Sequence, residues 1–228
     1  MNIKFSQKKQ EMREDPVLDF FLQAKQYATK HANILIGAAA AVVVVVGFFF
    51  IYMQMKNTGY EKAEAGFGRA MIEFNNRNME KAIEEFRSVA DNNGSTPSGA
   101  ESALMLGSIF FNIGKYDEAI QWFEKAESRN NDPGFICGEA REGLAGCYET
   151  KGDIPKALEY LEKALRDDQV KYRHAAIRWK MALLNQKTKD AARAKALCRE
   201  ILSDTTATDY RQRAENLLAV LEAVSGEL

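Results

Sequence analysis

Apolar and polar positions follow two regimes along the chain. From Ile34 to Met53 twenty residues run without a charge, including five consecutive valines (Val42 to Val46) and three phenylalanines (Phe48 to Phe50). A helix of that length spans about 30 Å, the thickness of a bilayer's hydrocarbon core. Core helices of soluble domains seldom run beyond about 14 residues without a polar face. The stretch therefore predicts a transmembrane helix over 34–53. It begins after 33 residues and is longer than the roughly 7 to 15 residues of a signal peptide's apolar region. The small-x-small triplet Ala63-Glu64-Ala65 lies beyond Lys56, Glu61 and Lys62. A retained anchor is expected.

Ahead of the anchor, residues 1–14 are polar and mixed in charge, with no core-forming pattern. Asp15-Pro16 signals a helix start, with Asp as cap and Pro at the first helical position. Val17, Leu18, Phe20, Phe21, Leu22, Ala24, Tyr27 and Ala28 then give an amphipathic segment. Two arrangements suit it: a helix lying along the cytoplasmic membrane surface, or an extension of the membrane helix.

Beyond the anchor the apolar positions repeat as a unit. The clearest copy runs Leu106-Gly107-Ser108-Ile109-Phe110-Phe111-Asn112-Ile113-Gly114-Lys115-Tyr116-Asp117-Glu118-Ala119, followed by Phe123 and Ala126. A second has Leu144-Ala145, Tyr148, Gly152-Asp153-Ile154, Ala157, Leu161 and Ala164. Stepping back from Ala119 reaches Ala82, and stepping on from Ala157 reaches Ala194, each in an apolar helical pattern. These outer copies carry Arg77 and Lys189 where the inner ones have the turn residues Gly114 and Gly152. Degraded terminal copies are ordinary in repeat arrays. Asp209 to Ala223, with Tyr210, Ala214, Leu217, Leu218 and Leu221 at helical spacing, predicts a capping helix.

The Leu-Gly pair, the Gly-x-Tyr turn and the Ala, aromatic, Ala series resemble the tetratricopeptide repeat. That resemblance implies an all-α solenoid of about four helix pairs, near 63–96, 100–133, 138–171 and 175–206, with a cap over 209–223, in a domain spanning 57–228. It also implies that fixed positions on the first helix of each pair line a concave face. Here those positions include Phe67, Met71 and Phe74 in the first repeat, Leu104, Met105, Ser108, Phe111 and Asn112 in the second, and Trp179 and Leu183 in the fourth. The third supplies Glu139, Glu142 and Glu149. The family's carboxylate clamp of Lys and Asn residues does not appear. An apolar, adaptable lining for loosely specified protein segments is expected instead, with inter-repeat core as the competing role for the same side chains.

Charge and chemistry narrow the function. Seven of the 31 basic and four of the 32 acidic residues lie in 1–56, so the remainder carries 24 against 28, a net −4. That is not the basic face nucleic acid requires. Six Lys and Arg precede the anchor (Lys4, Lys8, Lys9, Arg13, Lys25, Lys30), and three follow within 21 residues (Lys56, Lys62, Arg69). The bias predicts a cytoplasmic N-terminus and puts the C-terminal domain on the far side, which for a bacterial inner membrane is the periplasm. No nucleophile elbow, phosphate loop or HExxH is present, and His31 and His174 fall on opposite sides of the expected membrane. No enzyme, cofactor, metal or small-molecule substrate is expected. Cys137, Cys147 and Cys198 lack metal spacing. They read as small core residues, or as one disulfide with a leftover thiol if the domain is exported.

Tail, anchor and exported repeats together resemble the bacterial ancillary subunits of the Sec translocon. The resemblance implies a scaffold whose partners are the translocon, periplasmic chaperones or exported polypeptides, with membrane lipid around the anchor. A coordinating scaffold for cell-envelope or division machinery is the alternative with the same architecture.

Overall fold

The computed structural model describes residues 16–128 and 135–225. The tail over 1–14, its basic residues, the Asp15 cap and the loop Asn130 to Gly134 lie outside the described residues. Their secondary structure is helical throughout, with no strand among the described residues. The chain divides into two units that meet between Lys56 and Asn57.

In the first unit, helix α1 (Pro16–Lys30) is separated from α2 (Ala32–Asn75) by His31 alone. The His31 N–H closes α1 on the Tyr27 carbonyl, and the His31 carbonyl accepts from Ile34 and Leu35 as α2 opens. Phe20, Phe21 and Tyr27 are exposed on α1, as is every residue from Ile34 to Met53 on α2. Among the described residues α2 is the one helix long and apolar enough to cross a membrane.

The expected border between the anchor ending at 53 and the repeat domain opening at 57 falls inside α2, which runs unbroken to Asn75. Asn57, Thr58 and Gly59 are poor helix formers. One glycine in a helix costs only about 1 kcal/mol, which a continuous hydrogen-bond ladder tolerates.

The second unit is a solenoid of helix pairs. The C-terminal part of α2 pairs with α3 (Met79–Asn92), α4 (Pro97–Asn112) with α5 (Tyr116–Glu127), α6 (Phe135–Thr150) with α7 (Ile154–Leu165), and α8 (His174–Lys187) with α9 (Ala191–Ser203). Helix α10 (Thr208–Ser225) packs on α9. Small residues recur where helices approach: Ala82, Ala119, Ala157 and Ala194 are fully buried at one position of each second helix. Four residues on, Phe86, Phe123, Leu161 and Cys198 fill the space between layers. Two ion pairs, Lys125 with Asp91 and Lys151 with Asp117, join residues 34 apart and so tie consecutive repeats together.

Turn chemistry sets the pair boundaries. Thr96 accepts from the Gly99 N–H at 3.1 Å with Pro97 behind it, and Asp153 and Asp190 accept from Lys156 and Arg193 at 3.2 and 3.0 Å. Between α7 and α8 lies a 3-10 helix, Asp168–Arg173, that the repeat pattern does not announce. Its Val170 is fully buried against Gly138 of α6, where a Cβ would collide with the valine.

No disulfide joins the three cysteines. Cys147 and Cys198 are fully buried, the core role rather than the disulfide. Burial pushes the Cys147 thiol up to about 11 and raises that of Cys198. His174 opens α8 with Nε2 3.2 Å from the Asp167 carbonyl oxygen. Asp167 pairs with Arg141 at 3.4 Å and caps the 3-10 helix by accepting from the Gln169 N–H.

Candidate functional site

The first helices of the second, third and fourth pairs bound an open cavity of about 400 Å³. From α4 come Leu104, Ser108, Phe111 and Asn112, at spacings that place them on one helix face. From α6 come Glu139, Glu142, Gly143 and Gly146, again one face. The 3-10 helix contributes Arg173, α8 contributes Lys180, and Phe123 of α5 forms the floor.

Two of the three glycines of α6, Gly143 and Gly146, explain why there is room. A Cβ at Gly143 would stand 2.5 Å from the Phe123 ring, so the floor aromatic seats directly on backbone. A Cβ at Gly146 would stand 3.4 Å from Phe111. With no side chain at either position the α6 wall stays low, and Phe111 stands beside the opening, edge-on to Tyr116 with centroids 5.5 Å apart.

The far wall is ionic. Glu142, only 6% exposed, receives Arg173 Nε at 2.5 Å on Oε1, and Arg173 Nη2 at 3.2 Å and Lys180 Nζ at 2.8 Å on Oε2. The fork of the guanidinium suits a carboxylate's two oxygens. Burial pushes the Glu142 carboxyl up, but the Arg173 and Lys180 bonds outweigh it and hold the group below the ordinary carboxylate range. Arg173 Nη1 also reaches Glu139 at 3.5 Å.

The ten lining candidates named from sequence separate into three groups. Leu104, Ser108, Phe111 and Asn112 come together at the cavity. Phe67, Met71, Phe74, Met105 and Trp179 are partly buried against the hydrophobic core. Within that group Phe67 and Phe74 flank the fully buried Phe86, with centroids 5.7 and 6.5 Å from its ring. Leu183 is exposed, at 41%. Arg173 escapes sequence reasoning because it lies in a connection, where helical periodicity assigns no face. Glu142 and Lys180 both stand at groove positions, but nothing in the sequence pairs them. Among the described residues no group of three or more His, Cys, Asp and Glu is placed to hold a metal ion.

A stack of helix pairs with an open cavity between consecutive first helices defines a helical-repeat solenoid, a scaffold for protein partners. The chain belongs to the tetratricopeptide repeat family: a model of that repeat matches residues 67–133 and 148–211, and a second matches 113–179. Among solved structures, the MamA protein superposes with a TM-score of 0.57 at 16% identity, over 73% of this chain and 84% of that one. The nearly identical TPR-like repeats of a kinesin-light-chain-type protein of Podosopora anserina give 0.50 at 18% identity, over 73% and 96%. At such identities the likeness carries the fold alone. No curated protein matches the chain by sequence.

Proposed function

We propose that the chain is a membrane-anchored scaffold whose repeat domain receives protein segments on the exported side, as an ancillary subunit that links the Sec translocon to periplasmic chaperones and clients. The observation that carries the binding role is the cavity between α4, α6 and α8, whose apolar wall of Leu104 and Phe111 is open. The exposed apolar run Ile34 to Met53 supports the anchor, since lipid is the environment that removes such a surface from water. The basic bias ahead of that run supports a cytoplasmic N-terminus.

A photo-crosslinking residue in place of the exposed Asn112, in intact cells, tests this reading. The expected capture is the Sec channel together with a spread of translocating exported chains. One defined envelope protein in their place would make the chain a coordinator of envelope machinery. Capture of its own chain alone would overturn the open-groove reading. A single cysteine placed at Lys189 tests orientation: it should react with a membrane-impermeant maleimide once the outer membrane is breached, while the inner membrane is intact.

A further inference from the structure

The mouth of the cavity is not electrically balanced. Glu101 stands just outside the lining, one turn ahead of Leu104 on the same face of α4; it is partly buried and pairs with no cation among the described residues. Glu139 on α6 has Arg173 at 3.5 Å, but that guanidinium is already committed through Nε and Nη2 to Glu142. The remaining cation, Lys180, is bonded to Glu142 as well. Three carboxylates thus share two cations. Burial, and after it the charge of Glu139, pushes the Glu101 carboxyl above its ordinary range, as expected of two acids brought together without a counterion of their own.

Beside this deficit lies apolar room. Leu104 and Phe111 wall the cavity, Gly146 leaves its opposite side at backbone level, and the volume of about 400 Å³ admits a leucine- or methionine-sized side chain with its backbone. A negative group beside Glu101 and Glu139 would add to the excess of carboxylates. A ligand with a positive group would supply what the mouth lacks.

We propose that the cavity takes a protein segment in which a lysine or arginine stands within about three residues of a large apolar side chain, the cation seated at Glu101 and Glu139 and the apolar group against Leu104, Phe111 and Gly146. This rests on the segment-binding reading of the groove and narrows it to one partner chemistry.

The test is selection of a random dodecapeptide display library on the full-length chain in detergent, with selected peptides labelled and titrated by fluorescence anisotropy. Enriched peptides should pair a basic residue with a nearby bulky apolar one. They should bind the double variant Glu101→Gln/Glu139→Gln about five- to tenfold more weakly. If that variant melts below the parent, Glu101→Gln alone, which breaks no ion pair, is titrated instead. Peptides lost on filling the mouth with Asn112→Trp, yet showing no basic preference and no response to the carboxylate changes, would overturn this inference and leave the groove standing. Failure to select any peptide sensitive to Asn112→Trp would overturn both.

Discussion

Arg77 and Lys189 hold the same left-handed backbone conformation, with φ of 63° and 66°, in the turns that lead into α3 and α9. In the two inner pairs that position is Gly114 or Gly152, at 79° and 84°. All four turns are closed alike: the residue itself donates to the carbonyl three back (Phe74, Phe111, Glu149, Gln186), and the next donates to the carbonyl five back (Glu73, Phe110, Tyr148, Asn185). This is the Schellman closure, which favours glycine because a Cβ is strained at positive φ. Arg77→Gly and Lys189→Gly should each stabilise the domain by about 0.5–1 kcal/mol, the relief of strain exceeding glycine's greater unfolded-state entropy, while Gly114→Ala and Gly152→Ala should cost about 1 kcal/mol. Thermal melts of the full chain in detergent check the signs.

The Phe123 ring is held between two glycines. A Cβ at Gly107 on α4 or at Gly143 on α6 would come within 2.5 Å of it, and the ring is only 3% exposed. Gly107→Ala and Gly143→Ala should each lower stability by about 1–3 kcal/mol, more than the roughly 1 kcal/mol alanine gains as a helix former. Gly68 is the control, a helical glycine with nothing within 4 Å of its would-be Cβ. Gly68→Ala should stabilise by about 0.5–1 kcal/mol. A loss at Gly68, or a gain at Gly107, would contradict the packing described.

The repeat was legible in sequence because its signals are periodic: Ala119 and Ala157 meet their partner helices at one register, and Gly114 and Gly152 mark the same turn. The continuity of α2 was not, because Asn57, Thr58 and Gly59 are individually poor helix formers while the hydrogen-bond ladder through them is a collective gain. Nor was the 3-10 helix, whose apolar contact, Val170 on Gly138, joins residues 32 apart with no periodic trace. The cavity was half legible. Face positions on α4 name Leu104, Ser108, Phe111 and Asn112, and those on α6 name Glu139 and Glu142. That Arg173 from a connection would neutralise Glu142 depends on where the chain returns, which spacing does not encode.

The cysteines divide by access. Cys137 is partly exposed, whereas Cys147 and Cys198 are fully buried and their thiols are pushed up in pKa. At pH 8 a thiol with a pKa of about 11 is thiolate only about one part in a thousand. Native protein titrated with a disulfide exchange reagent at that pH should release one equivalent quickly, lost in Cys137→Ser. The other two should appear only on unfolding. Two fast equivalents would mean that the α6 or α9 core is open in solution.

Glu142 and Glu101 should respond to pH with opposite signs, although both stand on helices that bound one cavity. Glu142 titrates below the ordinary carboxylate range because the Arg173 and Lys180 bonds prevail over its burial. Its contribution is therefore complete above the unfolded value of about 4.3 and is lost as pH falls through the lower folded value. Glu101 is raised by burial and by Glu139, so the folded chain holds that proton more tightly than the unfolded one, and stability declines as pH rises through the carboxylate range. Glu142→Gln should cost about 1–3 kcal/mol at pH 7, and the loss should shrink below about pH 4 as the parent loses the same ion pairs. Glu101→Gln should raise the melting temperature at pH 7 and leave it unchanged at pH 3. Melting temperatures of both variants from pH 3 to 8 give two difference curves. Curves of the same sign would mean that Glu101 has a cation after all, and would remove the charge deficit on which recognition of a basic segment depends.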